Sequence, residues 1–181
     1  MAGTQITPQQ AASALLRFDQ YRDQLVFEGM DNGLNFALEL SITKFMVGGT
    51  SRDPIEDPPN APPGPLKIRS GNLRQRMKRV DTERQGELYV GGLSNDAKYA
   101  AIHEFGGRTG AHFIEAREAD TLAFIGRDGG MVFREAVFHP GSNIPARPYM
   151  EPALEAAKDT IMEDIAQSLV RGMDRAIAGS L

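Results

Sequence analysis

The sequence predicts an α+β fold: a small antiparallel sheet with a short helix on it, set between long N- and C-terminal helices. Three observations predict it. Apolar residues recur at helical spacing over the first quarter of the chain and again beyond Glu151. Between those stretches lie runs rich in β-branched and aromatic residues, punctuated by glycine pairs. Apolar types make up 41% of the 181 residues, enough to bury a core in a chain of one-domain length.

The first helix opens at Thr7-Pro8, an N-cap followed by a proline whose missing N–H would be orphaned anyway. Leu15, Phe18, Leu25, Leu34, Leu38 and Phe45 carry its apolar side as far as about Val47. Gly29 and Asp31-Asn32-Gly33 mark a point where it is expected to break or kink. So long a helix, about 60 Å at roughly 1.5 Å per residue, outruns a small core, and part of it is expected to meet another chain.

Gly48-Gly49-Thr50 ends that segment, and Pro54, Pro58, Pro59, Pro62, Pro63 and Pro65 follow with little that is apolar. This stretch reads as an extended linker or loop. Beyond it, Ser70 is placed to cap a short helix through about Lys78, with Leu73 and Met77 on its inner face. Val80 to Val90 reads as a strand hinged at Gly86, and Ala97 to Phe105 as a short helix stopped by Gly106-Gly107. Thr121–Ile125 and Met131–Phe138 flank a glycine-rich turn and predict a hairpin.

Glu151-Pro152 opens the terminal helix, whose Ala157, Ile161, Ile165, Leu169, Met173 and Ile177 form a four-residue row. Four residues overshoot a 3.6-residue turn, so that row drifts round the helix and is expected to meet more than one neighbour. The organisation is an N-terminal helical arm over 1–48, a proline-rich linker or loop over 49–66, and an α+β core with its helix over 67–181, one structural domain overall.

Composition excludes several functions. Twenty Lys+Arg against 24 Asp+Glu leave a net charge of −4, which rules out coating nucleic acid by bulk charge. The absence of cysteine removes disulfides, thiolate catalysis and iron–sulfur clusters. No apolar run approaches the ~18 residues of a membrane span. Met1 to Pro8 lacks the basic and apolar regions of a signal peptide, so a soluble, unexported chain is expected.

Catalytic constellations are sparse. His103 and Glu104 are adjacent and so diverge on a helix, His112 lies in a glycine-bounded loop, and His139 precedes Pro-Gly. The glycine clusters lack a Walker lysine and the spacing of a dinucleotide fold, so turns with positive φ are their expected use. No cofactor, metal or catalytic residue is expected. The one charged feature with contrast is Lys67, Arg69, Arg74, Arg76, Lys78 and Arg79, with no acid among them. This stretch reads as a solvated face, a contact for an acidic partner surface, or a contact for DNA phosphates.

Three short motifs occur in order. They are Arg69-Ser70-Gly71-Asn72-Leu73-Arg74, Tyr99-Ala100-Ala101-Ile102-His103-Glu104-Phe105-Gly106-Gly107, and Ile144-Pro145-Ala146-Arg147-Pro148-Tyr149-Met150. Together they resemble the small-Gly-x-Leu-Arg, Tyr-Ala-x-x-x-Glu/Gln-Phe-Gly and Arg-Pro-aromatic elements of the tail-completion or head–tail joining (neck) minor proteins of tailed bacteriophages. These are also called virion morphogenesis proteins. The resemblance spans residues 66–178, and the proline-rich segment departs from the pattern of many members.

It implies a structural protein with no enzymatic activity, located at the head–tail junction of the virion and in the host cytoplasm during assembly. Its expected partners are copies of itself in a cyclic ring, sixfold by analogy, neighbouring connector and tail proteins, and the genome DNA in the channel. No membrane contact is implied. The motif residues Ser70, Gly71, Leu73, Tyr99, His103, Glu104, Phe105, Gly106, Arg147, Pro148 and Tyr149 would build the fold or a contact between subunits. On physical grounds Ala100 and Ala101 are small enough for close packing, Phe105 is an anchor, and Tyr149 and Met150 are core. Pro145 and Pro148 stiffen the backbone on either side of Arg147. Two rivals are a nucleic-acid-binding module using the basic stretch and a small hydrolase using His103 and Glu104.

Overall fold

The structure is a computed structural model and describes residues 6–46, 66–67, 70–117, 120–126 and 128–179. The proline-rich segment expected as a linker lies almost wholly outside the described residues. The fold is α+β, with long terminal helices, a short internal helix and small antiparallel sheets.

Helix α1 (Pro8–Leu40) begins as expected, in a capping box in which Thr7 and Gln10 bond each other's backbone N–H. It runs unbroken through Gly29 and Gly33 and ends in a single π-helical turn, Ser41–Phe45. The expected kink is absent because both glycines are packing sites. A Cβ on Gly29 would sit 2.5 Å from the Ile165 Cα, and one on Gly33 2.5 Å from the Ile161 Cα. Those contacts belong to α4 (Glu151–Ala178), which runs antiparallel to α1.

Both helices meet through small residues that let their backbones approach: Gly29, Gly33 and Ala37 on α1, and Ala153, Ala157, Ser168, Gly172 and Ala176 on α4. As its drifting row predicts, α4 meets more than one neighbour: α1 is its main partner and the Ser41–Phe45 turn a second. After Ile165 the buried row steps to Ser168, Gly172 and Ala176, so α1 stays the main partner while Ile177 becomes exposed. In the early turns of α1, Leu15 and Leu16 are exposed while Ala14 is buried, and Tyr21 and Phe36 are exposed further along.

Helix α2 is a single turn, Asn72–Gln75, entered through Gly71 in the left-handed region at φ +75°. It stops before Met77 because that residue already pairs with Asn95 in a β-hairpin of β1 (Met77–Gln85) and β2 (Leu88–Asn95). Gly86, at φ +65°, opens the two-residue turn between them, so it joins two strands instead of hinging one. Strand β2 continues through Gly91 and Gly92, beyond the Val90 at which the strand was expected to end. Asp81 and Thr82 stand opposite Gly91 in a bulge, and a Cβ on Gly91 would strike Leu34 at 2.8 Å and Thr82 at 2.9 Å.

Helix α3 (Ala100–Phe105) follows, with Ala100 buried and Ala101 exposed. The chain then leaves the body as a ribbon of three nested antiparallel pairs. These are β3 (Gly107–Arg108) with β8 (Asn143–Ile144), β4 (His112–Glu115) with β7 (Ala136–His139), and β5 (Leu122–Ile125) with β6 (Met131–Arg134). The expected hairpin is therefore its outer end, and its second strand is divided at Glu135. A small core gathers around Tyr149, with Met46, Leu66 and Met77 buried against it and Leu38, Phe45, Leu73 and Met150 packed alongside.

Candidate functional site

The three motifs fold into one junction at the start of α4. Glu104 is its centre, 4% exposed at the end of α3. One carboxylate oxygen accepts from the Tyr149 N–H at 2.9 Å and the other from the Glu151 N–H at 2.8 Å, while Met150 N–H lies 3.2 Å from both. Helix α4 has no side-chain cap of its own, so a carboxylate from the second motif satisfies its orphan donors and meets the positive end of its dipole. The Arg147 N–H donates to the His103 carbonyl at 2.7 Å, a second bond between the same two motifs.

Gly106 allows this approach. It has φ +71°, and a Cβ there would lie 2.9 Å from the Ala146 nitrogen. Pro148 precedes Tyr149, whose side chain is fully buried. Burial, with Glu104 and then Tyr99 adding, pushes the Tyr149 hydroxyl up to about 12. That hydroxyl has no hydrogen-bond partner among the described residues.

The first motif joins through Asn72, whose side-chain amide donates to the Tyr99 hydroxyl at 2.6 Å, and through the Leu73 carbonyl, which accepts from Asn95 at 2.8 Å. Ser70 Oγ accepts from the Asn72 N–H at 3.4 Å, so it supports the turn, and the N-cap of the short helix is Gly71 instead. Tyr99 meets His103 edge-on, and burial lowers the His103 pKa. Phe105 corrects the expected anchor: it is 75% exposed, because Gly106 turns the chain before that ring can fold inward.

Comparison of the chain with protein-family models, with curated proteins and with solved structures finds no match.

The basic stretch does not form an uncompensated field. Arg76 and Lys78 both bond Asp96, at 2.9 and 3.1 Å, and together hold that carboxyl below its ordinary range. Arg79 pairs with Asp31 on α1 and with Asp81 at 2.8 Å. Burial pushes the Asp31 carboxyl up, but hydrogen bonds from Thr82 and Arg79 outweigh it and the net shift is downward. Lys67 and Arg74 are exposed, and neither has an acidic partner among the described residues; Arg69 lies outside them. Arg74 and Lys78 do not share a helix face, since Lys78 belongs to β1.

Sequence reasoning missed Asp96 and Asp31, which lie outside the stretch and reach it only through the fold. It also missed β4 and the pairing of His112 with His139, whose rings stack with centroids 5.2 Å apart. Among the described residues no three His, Asp or Glu side chains are grouped as metal ligands would be, and no helix is long and apolar enough to cross a membrane. Beside Phe105 an open apolar groove of about 520 Å³ is lined by Leu93, Met150, Leu154, Ile161 and Met162.

Proposed function

We propose that this chain is a non-enzymatic structural protein of a tailed-phage virion, acting at the head–tail junction to complete the tail or connector. One observation carries the reading. The three motifs that resemble the neck-protein family are knit into a single junction, with Glu104 of the second bonded to Tyr149 and Met150 of the third. Residues scattered over the sequence thus act as one structural unit, and the buried carboxylate serves backbone donors.

In this role copies of the chain form a ring on the channel axis, sixfold by analogy, and meet connector and tail proteins above and below. Of the described residues in the basic stretch, Lys67 and Arg74 have no acidic partner and are offered to a neighbour's acidic surface or to DNA passing through. The duplex-binding alternative draws less support, because Asp96, Asp31 and Asp81 neutralise much of the stretch on which it rests.

The test is electron microscopy of lysates from a phage with a stop codon in this gene. Filled heads beside separate tails are the expected outcome. Joined, infectious particles would overturn the reading.

A further inference from the structure

The ribbon is interrupted near its root. Between the β3–β8 pair and the β4–β7 pair lie Thr109, Gly110 and Ala111 on one side and Pro140, Gly141 and Ser142 on the other, none of them in a strand. Pro140 has no N–H to give a ladder. Gly141 stands at φ +86°, where a side chain would strike the Thr109 carbonyl oxygen. Thr109 and Ser142 close the lower side of the gap with bonds of 2.9 and 2.7 Å. Strands β4 and β7 lean on each other rather than on the helices, so the direction of the outer ribbon is set at this joint.

Two imidazoles span the gap. His112 and His139 stand opposite each other in register, and their rings stack with centroids 5.2 Å apart and planes 28° from parallel. His112 Nδ1 lies 3.1 Å from the Gly110 carbonyl oxygen, and the Gly141 N–H donates to His139 Nδ1 at 3.1 Å. Each ring thus ties its strand back to a glycine of the joint. A carbonyl oxygen only accepts and a backbone N–H only donates, so the neutral rings hold opposite tautomers. His112 carries its proton on Nδ1, and His139 carries its own on Nε2.

An added proton acts differently on the two. On His112 it goes to Nε2 and leaves the bond to Gly110 in place. On His139 it goes to Nδ1, the atom that accepts from Gly141, so that bond is lost and two N–H groups face each other. With both rings charged, two cations also oppose each other in the stack. No acid on the neighbouring strands answers that charge. Strands β4 and β7 carry one other titratable side chain, Glu115, which alternation turns to the opposite face with Phe113 and Phe138. Strand β3 brings Arg108, exposed and of the same sign, and β8 brings no charge.

We infer that this histidine pair is a pH-operated latch at the root of the ribbon, closed while both imidazoles are neutral and released by the proton that His139 takes on Nδ1. Closed, it holds the outer ribbon in line with its root. Released, it lets the ribbon pivot about Gly110 and Gly141. The inference does not rest on the virion reading, since its grounds are the interrupted ladder and the two tethered rings.

The chain has no cysteine, so spin labels attach only at introduced thiols. Ala123→Cys on β5 and Ala166→Cys on α4, both exposed, report the distance between ribbon and body by double electron–electron resonance. The distance distribution is expected to broaden about twofold or more from about pH 8 to about pH 5, the range in which ordinary imidazoles take up a proton. His139→Asn, made in the same labelled chain, puts an oxygen where it accepts from the N–H two residues on and has no proton to gain. Its distribution is expected to stay narrow at both pH values. His103 is unchanged in that variant, so a proton taken up there does not produce the difference. Ring nitrogen-15 spectra of the unlabelled wild type at the higher pH are expected to show the two opposite tautomers. A wild-type distribution that ignores pH, a His139→Asn variant that broadens as the wild type does, or one tautomer shared by both rings would overturn the inference.

Discussion

Glu104 replaces a missing cap, and its substitution distinguishes charge from shape. Glu104→Ala leaves the N–H groups of Tyr149, Met150 and Glu151 without their acceptor and is expected to cost about 2–4 kcal/mol. Glu104→Gln keeps the shape and one acceptor, so about half of that loss is expected in urea unfolding. The Tyr149 hydroxyl makes the opposite point. It is buried with no hydrogen-bond partner among the described residues, so Tyr149→Phe is expected to leave stability within about 1 kcal/mol of the wild type or to raise it. Titration follows from burial at His103. A histidine whose folded pKa is lowered binds fewer protons than its unfolded counterpart just below the ordinary value. Its contribution is complete above about pH 6.5 and is lost as pH falls towards the folded pKa. His103→Gln should flatten the stability profile in that window. Asp31 and Asp96 act lower: both are depressed, so their stabilisation holds above the ordinary carboxylate pKa and is lost as pH falls through the folded value.

Among the elements, the two long helices owe their close approach to residues that sequence patterning treats as weaknesses. A lone glycine near Asp31-Asn32 reads as a breaker, because one sequence does not reveal the partner backbone lying against it. Gly33→Val is therefore expected to force α1 and α4 apart and lower stability by about 1–3 kcal/mol or more, measured by thermal unfolding. Helix starts were legible: Thr7-Pro8 and Glu151-Pro152 are local signals that the fold kept. Strand partners were not. Strand β1 takes Met77 and Lys78 away from a plausible helix because pairing with Ser94 and Asn95 decides the matter, and those residues are distant in sequence. The same limit applies to the basic stretch. Its residues were visible, but the acids that answer it come from α1, from the bulge and from beyond β2. Within the ribbon, His112-Phe113-Ile114-Glu115 is too short and too mixed in polarity to announce a strand without Val137 and Phe138 opposite.

For the molecule as a whole, charge is the simplest probe. A net charge of −4 and a largely paired basic stretch predict no duplex DNA binding by the free protein at about 50 mM salt. Salt-sensitive binding in a mobility-shift assay would favour the nucleic-acid reading instead. Arg74→Glu should leave folding within about 0.5 kcal/mol of the wild type, because this residue is exposed and has no acidic partner among the described residues. Any loss of particle assembly in that variant would therefore be a loss of contact. The antiparallel pairing of α1 with α4 also sets an order of events during synthesis. Helix α1 leaves the ribosome first, yet the small-residue face it must bury waits for a helix that begins about 110 residues later. At roughly 5–20 residues per second that delay is about 6–20 s. Throughout it, Leu25, Gly29 and Gly33 lack the α4 residues that finally cover them, so the nascent chain is a natural client for a holding chaperone until that helix is made.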